Sequence, residues 1–395
     1  MPTLRLAKAV FWTSTGLLAY TQIGYPLALA VASALRRKDP GAQGLAPLPA
    51  EPAPRVALIV AAHDEQDVIA GKVANALELD WPRDRLEVVV CCDGCSDETA
   101  QRARDAGADR VLELARGGKV RAQNAGVDAT ASDLVAFSDA NASWEREALA
   151  ELAHAFTDPS VGYACGQVRF TRAGTAANGS VATPNEEGLY WRYEMWVRER
   201  ESQLRSVTAG NGAIYATRRE SYIRVDPAMD HDLSLPFNMV KRGWRAVYVP
   251  GARASEKMVP TIEGEFARKR RMMSHGAWPT VIRGGLADPR GYDPAYAAMI
   301  VSHRLLRYAT PGLHLAALAT SIRLAARPGS SPLYGAALAG QLAVLAAAAA
   351  APHTTARLPN VARYYVLTTT SLALGLYDWL RHGTRIGWGP SAGTR

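Results

Sequence analysis

The chain is expected to fold as an α/β protein, a parallel sheet with crossover helices flanked by apolar helices at both ends. Three observations predict this. Strand-like and helix-like segments alternate from about residue 55 to 170, the pattern of a parallel sheet. Three successive strand-like runs end on acidic residues: His63-Asp64-Glu65, Asp93-Gly94-Cys95-Ser96-Asp97 and Asp139-Ala140-Asn141. Ligands of open α/β sheets bind beyond the carboxyl ends of the strands, so all three clusters fall where a site belongs. Long uncharged stretches occupy both termini.

The elements follow in order. Ala9–Leu35 carries no charge and is followed at once by Arg36-Arg37-Lys38. A crossing needs ~20 apolar residues, so a transmembrane anchor is expected. The rival reading is a cleaved signal peptide, whose apolar core is shorter and ends at a small-residue site. With an anchor, the basic cluster puts residue 36 onward in the cytosol. Residues 41–54, rich in Gly, Pro and Ala, read as a linker.

Val56–Ala61 and Glu87–Cys92 read as buried strands around a helix, Gln66–Leu79, that stops at Trp81-Pro82. A helix over Asp97–Ala106 stops at Gly107, with Ser96 as N-cap. Gly117-Gly118-Lys119 opens a helix through Ala129. A glycine pair before a lysine at a helix start can hold an anion, and a plain turn fits equally. Asp133–Ser138 is the third strand. Leu189–Arg205 reads as a long helix on which Tyr190, Tyr193 and Trp196 recur at packing spacing. Thr208-Ala209-Gly210-Asn211-Gly212 precedes a strand over Ala213–Ala216. Asp230-His231-Asp232 opens a helix through Arg242, Trp244–Val249 is a strand, and Arg253–Glu256 closes the unit. Thr261–Pro279 is basic and amphipathic, as in a helix lying on a membrane surface. Ser331–Ala351 is a clean uncharged run, and Tyr364–Leu380 is a second with Asp378 near its end. Tyr308–Ile322 is shorter, holds Pro311 and His314, and is short enough to be re-entrant. A soluble alanine-rich bundle is the alternative for this third of the chain.

Composition narrows the class. The 395 residues carry a net charge of +8, with pI about 9.4. Much of the excess sits in Arg36-Arg37-Lys38 and Arg268-Lys269-Arg270-Arg271, both beside apolar segments. That placement suits an anionic membrane face rather than nucleic acid, for which no motif is present. The cysteines, Cys91, Cys92, Cys95 and Cys165, form neither a disulfide framework nor paired zinc spacing. They read as incidental thiols of a reducing compartment.

Taken together and in this order, the motifs resemble the family 2 glycosyltransferases with a GT-A fold. They are Asp64-Glu65, Asp93-Gly94-Cys95-Ser96-Asp97, Gly117-Gly118-Lys119 with Asn124-Ala125-Gly126, Asp139-Ala140-Asn141, Gly210-Asn211-Gly212, His231-Asp232 and Arg268–Met272. The likeness covers about residues 55–280 and points to membrane-bound synthases of cellulose, chitin, hyaluronan or poly-N-acetylglucosamine type. It implies a GT-A domain over 41–257, an N-terminal anchor over 1–40, an amphipathic interface region over 258–295 and a transmembrane region over 296–395.

The resemblance also implies roles. Asp93 would bind the base or ribose of a nucleotide-sugar, a UDP-sugar foremost, with His63 and Glu65 beside it. A helix N-terminal charge is the plain alternative for Glu65. Lys119 would hold the base or diphosphate. Asp139 matches the first acid of the family's DxD motif, with Asn141 at its third position, and Mg²⁺ or Mn²⁺ is the implied metal cofactor. Asp232 matches the catalytic base and would deprotonate the acceptor hydroxyl during an inverting attack. Asp230 and His231 remain rivals for that task, and helix capping would also explain Asp230. Asn211 and Gly212 would shape the acceptor pocket, and Arg271 would stabilise the leaving diphosphate.

Three departures stand out. Asn141 is a neutral, weaker ligand. Cys95 replaces the usual Ser or Thr. The family's QxxRW motif keeps only Arg271, since Arg268 and Met272 replace its glutamine and tryptophan. The implied function is sugar transfer to a polysaccharide or a lipid-linked acceptor, by an integral protein of the plasma membrane with a cytosolic catalytic domain. The competing class is a catalytically degenerate membrane scaffold or nucleotide-sugar-binding regulator.

Overall fold

A computed structural model of the protein describes residues 2–35, 52–171, 186–257, 259, 261–354 and 356–384. The basic cluster at 36–38 and most of the linker at 41–54 lie outside them.

The catalytic-size unit is one eight-stranded sheet. In chain order its elements are β1 (Val56–Ala62), α3 (Ile69–Leu77), β2 (Leu86–Asp93), α4 (Thr99–Asp105), β3 (Arg110–Leu114), α5 (Lys119–Asp128), β4 (Leu134–Asp139), β5 (Ser143–Trp144), α6 (Ala148–Ala155), β6 (Val161–Thr171), α7 (Glu186–Leu204), β7 (Ile214–Arg218), α8 (His231–Lys241) and β8 (Arg245–Lys257). They follow α1 (Pro2–Ala19) and α2 (Tyr25–Leu35), which a π-helical turn over Tyr20–Gly24 joins into one rod. The spatial order is β3-β2-β1-β4-β7-β6-β8-β5. β1 pairs in parallel with β2 and β4, while β7 runs antiparallel to β4 and β6.

Every residue of β1 is buried. Helices on both faces of a parallel sheet leave no solvent side, which is why VALIVAA and LEVVVCCD read as unbroken apolar runs. One core lies on the α6 side, with Leu58, Val88, Leu149, Leu152 and Ile214. The other lies under α5 and α8, with Ile59, Val89, Phe137, Tyr215 and Leu235.

Two elements depart from the sequence expectation. The short edge strand β3 had no signal strong enough to name, because its side chains are half-buried or exposed. The strand expected to break near Val249 continues to Lys257. Between Cys165 and Gln167 on β6 the partner register jumps from Tyr248 to Arg253. That bulge absorbs Pro250-Gly251, a pair that reads locally as a stop.

α7 joins the sheet to the remaining helices. Trp191 donates to the Val168 carbonyl at 2.7 Å, while Val197 is buried in a cluster with Tyr25, Leu29, Phe237, Val281, Tyr296 and Leu372. Tyr193 and Trp196 pack against that cluster, as their spacing suggested. The side chain of Tyr190 lies outside the described residues.

Then come α9 (Ile262–Met272), α10 (Trp278–Ile282), α11 (Pro294–Met299), α12 (Leu306–Ala325), α13 (Pro332–Ala350) and α14 (Arg357–His382), with π-helical segments over Met273–Ala277 and Ile300–Leu305. Among the described residues, two helical stretches are long and apolar enough to cross a membrane, Thr3–Leu35 and Pro332–His353. Both expose large apolar side chains, including Ile23, Leu27, Val31 and Leu35 on the first and Leu333, Leu342 and Leu345 on the second.

Candidate functional site

Strand register brings the three acidic ends together. Ala62 pairs with Cys92, and Ala61 with Asp139. His63, Asp93 and Asp139 therefore share one edge of the sheet, at the carboxyl ends of β1, β2 and β4.

Asp93 is 1% exposed. Its carboxylate accepts from the Gly117 amide at 2.6 Å and the Gly118 amide at 2.9 Å, and Arg116 approaches to 3.6 Å. The glycine pair does hold an anion, but that anion is the protein's own Asp93. Gly118 has φ 92°, a conformation that favours glycine, and this turns the chain into α5. Asp93 thus fixes the loop that presents Lys119. The Asp93 carbonyl meets His63 Nδ1 at 2.9 Å. Glu65 is buried, and its amide donates to the Thr99 hydroxyl at 2.8 Å, tying the β1 end to α4.

Lys119 reaches the end of β4 and forms an ion pair with Asp139. Burial alone would lower the Lys119 pKa, but the charges of Asp139, Asp232 and Glu256 outweigh it and hold it above the usual value. A Cβ on Gly212 would lie 3.6 Å from Lys119 Nζ and 3.7 Å from an Asp232 oxygen. Gly212 therefore lies beside both the lysine ammonium and the Asp232 carboxylate.

The start of α8 separates three neighbouring groups. His231 is buried with Nδ1 2.8 Å from the Tyr215 hydroxyl and Nε2 3.2 Å from that of Tyr222. Burial, and then the Lys119 charge, bring its pKa down to about 3, so it is a neutral strut. Asp230 occupies the N-cap position, but its side chain accepts no capping bond. It packs against the Gly276 backbone, where a Cβ would lie 1.9 Å from the carboxylate. Burial and Asp232 raise its pKa to about 7. Asp232 is the acid that faces Lys119. Burial raises its pKa, Lys119 opposes that, and Asp139 adds to it.

Two residues that the sequence reading passed over belong here. Glu256, near the end of β8, is raised to about 7 by burial and then by Asp139, with Lys119, Arg268 and Lys72 opposing. Lys72 on α3 is buried beneath β4, where its Nζ donates to the Ala142 carbonyl at 2.8 Å. Burial lowers it to about 7. Neither sits in a motif: the turn after Asp139 leads into β5, whose Ser143 pairs with Ser255 of β8, and Lys72 bonds Ala142 in that same turn. Asn141 is half-buried in the turn after β4.

Asn211 is buried inside the wall. Its Oδ1 accepts from Arg198 of α7 and its Nδ2 donates to the Gly166 carbonyl. It holds the loop that carries Gly212. The basic run on α9 is largely committed within the protein. Arg268 binds Glu265 through two contacts of 2.7 and 2.8 Å, Lys269 donates to the Tyr364 hydroxyl at 2.6 Å, and Arg270 binds Asp378 at 2.6 and 2.7 Å. Arg271 is half-buried and lowered by burial, then by Arg268. Trp278 donates to the Leu372 carbonyl at 3.0 Å and belongs to helix packing.

The arrangement sets a carboxylate able to accept a proton beside a lysine able to hold an anion. Four acids, Asp139, Asp230, Asp232 and Glu256, surround that one lysine.

Comparisons with known proteins agree with this geometry. Residues 53–274, more than half of the chain, match the family described as glycosyltransferase-like family 2. A curated relative, the beta-monoglucosyldiacylglycerol synthase of Synechocystis sp., is 27% identical over 237 residues, covering 57% of this chain and 48% of that protein. The chain thus spans about half the length of that relative. Among solved structures, a mannosyltransferase from Pyrobaculum calidifontis in complex with GDP-Man and Mn²⁺ superposes with a TM-score of 0.68 at 23% identity, covering 95% of this chain and 99% of that one. That likeness is one of fold. The chain belongs to glycosyltransferase family 2, with a GT-A-like α/β fold.

Proposed function

We propose that the protein is an inverting membrane glycosyltransferase that moves a sugar from a nucleotide-sugar, a UDP-sugar foremost, to a lipid-linked or glycan acceptor. The observation that carries this is that Lys119 and the Asp232 carboxylate both approach Gly212, with Asp139 paired to Lys119. The acceptor hydroxyl enters there and gives its proton to Asp232 as its oxygen attacks the anomeric carbon. The bond to the diphosphate breaks on the opposite face, and the nucleoside diphosphate leaves. Lys119 takes the diphosphate charge, and Arg271 lies on the α9 side to share it. Asp93 acts through the loop it holds, while His63 and Glu65 frame the β1 rim of the nucleotide pocket.

A divalent cation suits this donor set. Asp139, Asn141 and Glu256 supply hard oxygens, and the raised Glu256 marks an excess of negative charge that a cation relieves. When bound, Mg²⁺ or Mn²⁺ neutralises charge on the departing diphosphate.

A membrane setting is supported by the two span-length helices and their exposed leucines, isoleucines and valines. In this reading residues 1–40 anchor the chain and 41–257 form a cytosolic domain. Residues 258–295 ride at the interface and 296–395 form the membrane region, in the plasma membrane. A lipid acceptor fits the missing QxxRW tryptophan better than a long polymer does, since Trp278 is committed elsewhere.

The test is nucleoside diphosphate release by the full chain in nanodiscs of total membrane lipid. UDP- and GDP-sugars are supplied with Mn²⁺, and the products are split between lipid extract and aqueous polymer. Release from one donor, lost on chelation and in Asp139→Asn, supports the proposal. Release unaffected by chelation and by that variant refutes the site as drawn, and label confined to a polymer refutes the lipid acceptor.

A further inference from the structure

A second cluster of ligating groups lies at the rim of the cleft, and of its members only His63 has a place in the transfer reading, framing the nucleotide pocket. It forms because Ala62 and Cys92 are in register, so the residues that follow β1 and β2 turn toward each other. One ring nitrogen of His63, one carboxylate oxygen of Asp64 and the Cys95 sulfur all lie within 4.8 Å of one another, each half-buried. Among the described residues this is the one such group of His, Cys and acidic side chains.

The Cys95 thiol donates to the Ala62 carbonyl at 3.6 Å, a bond it gives up with its proton on ligating. His63 and Asp64 are tied outside the cluster. His63 Nδ1 meets the Asp93 carbonyl at 2.9 Å, and Nε2 stands 3.5 Å from Asp64 Oδ2. Asp64 Oδ1 accepts from the Ser96 amide at 2.8 Å. Outer bonds of this kind orient the ligands of metal centres, a backbone carbonyl on the imidazole being a common form. Asp64 also has φ 49°, the one positive value among the described non-glycine residues. Strain of that kind persists where surrounding structure imposes it.

We propose that His63, Asp64 and Cys95 bind one borderline-soft divalent ion of the zinc class, at a site distinct from the hard-oxygen position at Asp139. The donor chemistry selects the ion. One imidazole, one carboxylate and one thiolate suit Zn²⁺ and its congeners, whereas Mg²⁺ and Mn²⁺ prefer oxygen throughout. Binding releases the Cys95 thiol proton to solvent and leaves His63 neutral. Three protein ligands leave a fourth position for water. The ion clips the loops after β1 and β2 together and, through the His63–Asp93 contact, braces the loop that presents Lys119.

Cobalt tests this without reference to turnover, so the outcome stands apart from the transferase reading. The full-length protein in detergent is stripped with chelator, kept reduced and titrated with Co²⁺. Expected is one equivalent bound with a sulfur-to-cobalt charge-transfer band, displaced by Zn²⁺. The band is lost in Cys95→Ser and in His63→Ala, and kept in Cys165→Ser and Asp139→Asn. A wild-type protein that shows no such band at stoichiometric Co²⁺ overturns the proposal, whatever the variants do. So does a band that survives Cys95→Ser, since it would place the ion on another thiol.

Discussion

Replacing Asp232 by Asn separates the three candidates for the base at the start of α8. A positioned general base contributes about 10²–10⁴ in rate, which at 1.36 kcal/mol per tenfold is roughly 3–5 kcal/mol of barrier. The proposed mechanism puts that loss on Asp232, whose carboxylate lies with Lys119 beside Gly212. His231→Gln should behave differently. It weakens contacts with Tyr215 and Tyr222, neutral hydrogen bonds of about 0.5–1.5 kcal/mol each. The cost falls on stability, and the folded fraction keeps turnover within about tenfold, short of the loss of a base. Asp230→Asn should also stay within about tenfold, because the Asp230 carboxylate packs on Gly276 while that of Asp232 approaches Gly212. The pH profile adds a second readout. A base must be ionised to act, and burial raises Asp232 above the ordinary carboxylate range. Activity is therefore full above that raised value and is lost as pH falls through it. Lys119→Gln removes the charge that holds Asp232 down, so it should move this acid limb upward besides weakening donor binding. The assay is nucleoside diphosphate release against pH, with melting curves for each variant. An Asp232→Asn enzyme that keeps more than about a tenth of the rate, or that retains the acid limb, refutes the assignment.

Glycine geometry makes a second prediction. Gly210→Ala puts a methyl 1.7 Å from the buried Tyr163 hydroxyl and should cost about 1–3 kcal/mol in unfolding experiments. Gly212→Ala meets its neighbours at 3.6 Å or more, so stability should change by less than about 0.5 kcal/mol while kcat/KM falls. The reverse pattern would show that Gly212 does not face the acceptor. A third concerns the joint between α7 and the helix bundle. Glu201 is fully buried and accepts from Tyr25 at 2.6 Å and Thr208 at 3.0 Å, with His303 at 2.7 Å. Glu201→Ala strands these partners and should cost about 3–5 kcal/mol by denaturant titration; a loss under about 1 kcal/mol would count the network as ornamental. Acid should weaken the same joint. Burial would raise Glu194 and Glu201, but Arg307 acting on the first and His303 on both hold them below the ordinary value. Their contribution is complete above the unfolded glutamate pKa, about 4.3, and disappears as pH falls through the lower folded values. Melting that stays constant from pH 6 down to about pH 3 would contradict it.

Much of the site was readable from local chemistry. β1 and β2 are legible because both faces are covered, so their residues must be apolar throughout, and Asp93, Asp139 and Asp232 stand at element boundaries that local patterns mark. The sequence alone therefore determined the parallel β1, β2 and β4, the edge where their acidic ends lie and the family, while the antiparallel β7 that makes the sheet mixed was not foreseen. Through the resemblance it also matched Asp232 to the catalytic base, with Asp230 and His231 as rivals. Only the tertiary structure shows what surrounds the rivals, because the tyrosines that hold His231 come from β7 and the loop after it, and the glycine that receives Asp230 comes from the π-helical segment after α9. The same holds for Glu256 and Lys72, which reach Asp139 through the pairing of β5 with β8 and the bond to Ala142, not through spacing. It holds equally for Asp93, whose carboxylate closes on the glycine amides that looked ready for a ligand. Local sequence specifies which groups a segment carries. Which of them is left facing the cleft depends on partners brought in from other elements, and burial among those partners helps set the charge each group holds.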